Sequence, residues 1–128
     1  MSDMSDLKPL RIAIADGSPA FLTAAANYIA QLPGFVLAGT ADTSMQAMAL
    51  VSSAGPDVLL LDLGRSPVRS LEVVKQVKAA PGAPAVVAMT LFHTPETADA
   101  AKRAGADAVV GKESFVSSLS QALARLFP

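Results

Sequence analysis

Asp16, Asp62, Thr90 and Lys112 have the types and positions that suit chemistry on an anionic oxygen group. Each follows or ends a short apolar run. Arg11-Ile12-Ala13-Ile14-Ala15 runs into Asp16-Gly17. Val58-Leu59-Leu60-Leu61 runs into Asp62, with Pro56 before it and Gly64 just after. Ala85 to Met89 runs into Thr90, and Ala108-Val109-Val110 runs into Gly111-Lys112. Short apolar runs bounded by glycine and proline predict strands buried on both faces, and such strands belong in a parallel sheet. Ligands of these sheets bind just beyond the carboxyl ends of the strands. Two carboxylates there suit a hard cation held through oxygen. A hydroxyl and an ammonium suit the oxygens of a phosphoryl group.

The segments between these runs must hold the four residues in register. Ser18 with Pro19 predicts a capped helix with proline in its first turn, and Leu22, Ala25, Ile29 and Leu32 repeat at helical spacing up to Pro33-Gly34. Phe35 to Ala41 reads as a second strand. Thr43 and Gln46 fit a capping box, with Ala47, Met48 and Val51 as the apolar face of the helix it opens. Arg65 to Arg69 reads as a polar loop, and Leu71, Val74 and Val77 as the face of a third helix. Thr94-Pro95-Glu96 opens a fourth helix that stops at Gly105. Ser114 caps a last one carrying Phe115, Leu119, Leu123 and Leu126. Strand and helix alternate throughout, which predicts an α/β, doubly wound, five-stranded parallel sheet with right-handed crossovers. Residues 1–9 read as a flexible lead-in and residues 10–128 as one domain.

Composition narrows the function classes. Ten basic and eleven acidic residues leave a net charge of −1, which supports neither nucleic-acid binding by this domain nor attachment to an anionic membrane surface. No apolar stretch approaches the roughly 18–20 residues of a membrane span. Cysteine is absent, so disulfides and thiolate metal sites are excluded and a cytoplasmic location is expected. No Gly-rich phosphate loop or Ser-His-Asp set is visible, and a single tyrosine is poor provision for stacking a flavin. An enzyme is therefore not expected. His93 lacks a second ligand at metal spacing and reads as an ordinary loop histidine.

Taken together, Ile14-Ala15-Asp16-Gly17-Ser18-Pro19, Pro56 to Leu63, Val87-Ala88-Met89-Thr90, and Ala104-Gly105-Ala106-Asp107 running to Lys112 resemble the response-regulator receiver domains, with most likeness to the NarL/LuxR-type receivers. The resemblance spans about residues 10–127. It implies the CheY-like, flavodoxin-like three-layer fold with strand order 2-1-3-4-5 and five helices. It also implies that Asp62 accepts a phosphoryl group from a sensor histidine kinase or phosphotransfer protein. Thr90 and Lys112 would read the product. Mg²⁺ would be held by Asp16, Asp62 and the backbone carbonyl of Gly64. Receivers often pair, so a homodimer is expected through a patch of Val109, Val110, Phe115, Leu119 and Phe127.

Several positions depart from that pattern. Gly17 stands where receivers usually have a second acid, Arg65-Ser66 where they have Met-Pro, Ser70 where they have glycine, and Val109 where they have an aromatic switch residue. Two readings follow. One is a phosphorylatable switch in two-component signalling with weakened metal binding. The other is a phosphorylation-independent interaction module. In either, Arg65 reaches back to the carboxylates or stays solvated. No helix-turn-helix segment follows the last helix in this sequence, so the expectation is action through partners or as one piece of a longer regulator.

Overall fold

The computed structural model describes residues 8–65 and 67–128. Most of the expected lead-in, residues 1–7, and Ser66 lie outside the described residues. The described elements are β1 (Leu10–Ala15), α1 (Pro19–Ala30), β2 (Phe35–Ala41), α2 (Ala47–Ala54), β3 (Val58–Asp62), α3 (Pro67–Ala79), β4 (Ala85–Thr90), α4 (Pro95–Ala104), β5 (Ala108–Gly111) and α5 (Phe115–Leu126). The five strands form one parallel sheet in the order β2-β1-β3-β4-β5.

The strand period of two divides the core between the faces of the sheet. Ile12, Ile14, Val58, Leu60, Val87 and Met89 pack with Ala25 and Ile29 of α1 and with Phe115, Leu119 and Leu123 of α5. Ala13, Ala15, Leu59, Leu61, Val86 and Ala88 pack on the other face against α2, α3 and α4. Val58, Leu59, Leu60 and Leu61 are all fully buried, as a central strand covered on both faces requires. Alanines line much of the second face, so α4 approaches the sheet through Ala98, Ala101 and Ala104.

Local chemistry explains where the helices begin and end. The Ser18 hydroxyl accepts from the Phe21 N–H, and the Thr94 hydroxyl accepts from the Thr97 N–H, each ahead of a first-turn proline. Gly105 closes α4 at φ 114°, a conformation that favours glycine. Three expectations need correcting. Thr43 makes no side-chain cap, because the chain first forms a 3-10 turn, Ser44–Gln46, and only then enters α2. The expected α2 face is present, with Ala47 buried and Met48 and Val51 partly buried against the core, and Leu50 joins it. The polar loop ends earlier than expected: α3 starts at Pro67, whose fixed φ suits a first turn, so Val68 and Arg69 are helical. The expected self-association patch is also largely consumed, since Val110, Phe115 and Leu119 are core residues.

Leu60 is fully buried in the central strand, whereas Val68 is 79% exposed. Leu60→Ala is expected to lower the unfolding free energy by about 2–5 kcal/mol through lost burial and a residual cavity. Val68→Ala is expected to stay within about 0.5 kcal/mol of the parent. Urea titration of both variants reads the difference.

Candidate functional site

The sheet order brings the carboxyl ends of β1, β3, β4 and β5 to one edge. Asp16 leaves β1 fully buried, its backbone N–H donating to the Ala41 carbonyl at 3.0 Å. Its Oδ1 accepts from the Ser18 N–H at 2.8 Å, at the entrance to α1, where a helix N-terminus favours negative charge. Asp62 closes β3 opposite Met89 of β4. Its Oδ1 accepts from the Gly64 N–H at 3.1 Å, and its carbonyl accepts from the Ser44 hydroxyl. Gly64 turns the chain at φ 67°, a left-handed conformation that glycine adopts without strain.

Lys112 joins the two carboxylates. Its ammonium lies 2.7 Å from Asp16 Oδ2 and 3.2 Å from Asp62 Oδ1, and its side chain is only 13% exposed. Among the described residues Asp16 Oδ2 has no aligned hydrogen-bond donor, so the close ammonium serves it as a charge rather than a directed bond. The Phe21 ring, from the first turn of α1, lies against the same ammonium, 4.4 Å from Nζ to the ring centroid. Thr90 ends β4 opposite Gly111, is 5% exposed, and its hydroxyl has no hydrogen-bond partner among the described residues. Arg65 is exposed, and the close charge contacts to Asp16 and Asp62 come from Lys112. His93 is exposed in the loop before α4.

Asp16, Asp62 and the Gly64 carbonyl form an oxygen set of the type a hard dication prefers. The buried Asp16 Oδ2, which among the described residues is met by the Lys112 ammonium and by no directed hydrogen bond, is where such an ion would find a ligand in place of that ammonium. The set is short of one carboxylate, since Gly17 has no side chain, and among the described residues no three Asp, Glu, His or Cys side chains gather as a metal group. The residues present fit a Mg²⁺ ion only in part, with fewer charges than two acids after β1 would supply.

Two contributors were not visible in the sequence. Phe21 shares a face with Ala25 and Ile29, so helical periodicity marks it as a core residue and gives no hint of its contact with Lys112. An aromatic in the first turn of the helix after Asp16 was the available signal. Ser44 reaches Asp62 only because the chain between β2 and α2 crosses to β3. Its place just past the carboxyl end of β2 was the corresponding clue.

Comparisons with known proteins agree with this geometry. A family model described as the response regulator receiver domain matches residues 12–124. The chain is 27% identical over 120 residues to the nitrate/nitrite response regulator protein NarL of Escherichia coli K12, covering 94% of this chain and 56% of that protein. It superposes on a two-component response regulator of the LuxR family from Aurantimonas sp. SI85-9A1 with a TM-score of 0.82 and 25% identity, over 93% of this chain and 85% of that one. The isolated REC domain of RcsB from Salmonella enterica serovar Typhimurium gives a TM-score of 0.79 at 20% identity, over 93% and 88% of the two chains. The chain spans about half the length of the curated relatives it matches.

A buried hydroxyl without a partner costs stability, by about 1–3 kcal/mol relative to a satisfied one. Thr90→Val is therefore expected to leave the unfolding free energy unchanged or raise it by about 1 kcal/mol, measured by urea denaturation. A clear loss of stability would mean that the hydroxyl holds the fold together.

Proposed function

The chain belongs to the response regulator receiver domain family, and we propose that Asp62 is its phosphoacceptor. Receivers of this family are signalling modules of two-component systems. The observation that carries the reading is the unpartnered Thr90 hydroxyl at the same sheet edge as the Lys112-bridged carboxylates. A buried polar group kept at a cost calls for a partner, and a phosphoryl group on Asp62 supplies acceptor oxygens.

In this reading an Asp62 carboxylate oxygen attacks the phosphorus of a phosphohistidine on a sensor kinase or phosphotransfer protein. The new P–O bond forms as the P–N bond breaks, and the imidazole leaves as the neutral base after taking up a proton. Asp16, Asp62 and the Gly64 carbonyl would hold Mg²⁺, which lowers the repulsion between a carboxylate and an anionic phosphoryl group. Lys112 moves its charge from the carboxylate pair to a phosphoryl oxygen, and the Thr90 hydroxyl donates to another. The added charge of about −1.5 to −2 then biases the loops that carry Thr90 and Lys112. The domain acts in the cytoplasm, where such kinases present their phosphohistidine. No described helix is long and apolar enough to cross a membrane.

A second reading is favoured by Gly17 and Val109 specifically. Val109 is half-buried and has neither a hydroxyl nor an aromatic ring, so a ring-swing output is not available to it. One charge pair at about 4 Å and an effective dielectric near 20 is worth roughly 4 kcal/mol before desolvation, so the acid missing at Gly17 weakens the metal substantially. In this reading the fold serves as a phosphorylation-independent interaction module.

Incubation with acetyl phosphate and Mg²⁺ is expected to add one phosphoryl mass to the parent and none to Asp62→Asn, read by intact-mass spectrometry. Absence of modification in the parent would favour the second reading. Gly17 has ordinary backbone angles, and an added Cβ would meet only the Asp42 carbonyl at 3.7 Å, so aspartate fits there. Gly17→Asp is expected to raise Mg²⁺ affinity at least tenfold in a metal titration.

A further inference from the structure

We infer that Phe21 is the positioning residue for Lys112. A lysine side chain is long and freely rotating, and its ammonium has no fixed donor geometry. Its contact with Asp16 Oδ2 at 2.7 Å is not an aligned hydrogen bond, so charge attraction alone leaves its direction loose. The ring of Phe21 supplies the missing wall. Its centroid lies 4.4 Å from Nζ, inside the range where the negative face of an aromatic ring attracts a cation. The attraction is strengthened here because the lysine side chain is only 13% exposed.

The ring is itself held from behind. Phe115 meets Phe21 edge to face at 5.0 Å, and Tyr28 meets Phe115 at 6.0 Å in the same manner. The Tyr28 hydroxyl is 2.7 Å from that of Ser120, which fixes the far end of the stack between α1 and α5. Phe115 opens α5 three residues after Lys112, so one short segment carries both the ammonium and the ring that braces its wall. The position of Lys112 is thus tied to the α1–α5 face, away from Val109 on β5.

The inference deepens the proposed function, because it assigns Phe21 to the lysine that reads the phosphoryl group. The test uses the 128-residue chain with beryllium fluoride and Mg²⁺ as the phosphoryl mimic. Phe21→Leu is expected to weaken mimic binding by roughly three- to tenfold. Phe21→Tyr, which keeps the ring face, is expected to bind as the parent does. Pentafluorophenylalanine at position 21 keeps the shape but reverses the ring's charge distribution. It is expected to behave like Phe21→Leu, where a role in packing alone predicts parent-like binding, and it decides the matter if Phe21→Leu fails to fold. Proton NMR of the Lys112 ε-methylene gives a readout independent of phosphorylation. An upfield ring-current shift in the parent and in Phe21→Tyr, lost in the leucine and pentafluoro variants, supports the inference even if the parent binds no mimic. That combination would overturn the phosphoacceptor reading alone. An unshifted methylene in the parent, or mimic binding in the pentafluoro variant equal to the parent's, overturns the positioning role.

Discussion

Asp16 has none of its surface in water, so its carboxylate must find its solvation inside the protein. The protein answers with the Ser18 N–H at the mouth of α1 and with the ammonium of Lys112. Those two contacts tie the end of β1 to the start of α1 and to the segment after β5. Asp62, held between the same ammonium and the Gly64 N–H, adds the end of β3. Much of the carboxyl edge of the sheet is therefore organised around one lysine and two carboxylates. A buried arrangement of this kind adds little net stability. In the proposed function its value lies in keeping charges ready that a new anion can rearrange.

The rest of the fold supplies the rigidity this arrangement needs. β3 sits between β1 and β4 with Val58 to Leu61 buried on both faces, so Asp62 emerges from the least yielding part of the sheet. The residues that the proposed switch would turn or move lie beyond the strand ends, at Gly64, in the loop after Thr90 and in the turn after Gly111. In that reading stability and responsiveness are placed in different parts of the chain.

Features set by local rules were legible in the sequence. Ser18-Pro19 and Thr94-Pro95 announce helix starts because a side-chain cap and a fixed φ act within one turn. The four-residue apolar run before Asp62 announces a central strand because only such a strand is buried on both faces. Where tertiary contacts decide, the sequence misleads. Thr43-x-x-Gln46 has the spacing of a capping box, yet Ser44 is drawn to the Asp62 carbonyl and the chain takes a 3-10 turn instead. Val110, Phe115 and Leu119 looked available for a partner but face α1 across the sheet edge and are consumed there. Phe21 escaped notice for the converse reason. Its partner, Lys112, is brought to it only by the closure of α5 against α1.

The central claim is that Lys112 holds the carboxylate pair until a phosphoryl group arrives on Asp62 and then follows that group. A crystal structure of the domain with beryllium fluoride and Mg²⁺ tests it most directly. The account predicts the fluoride group bonded to an Asp62 carboxylate oxygen, with Lys112 Nζ and the Thr90 hydroxyl each contacting a fluorine. Lys112 still bridging Asp16 and Asp62, with no density on Asp62 at saturating mimic, would contradict it.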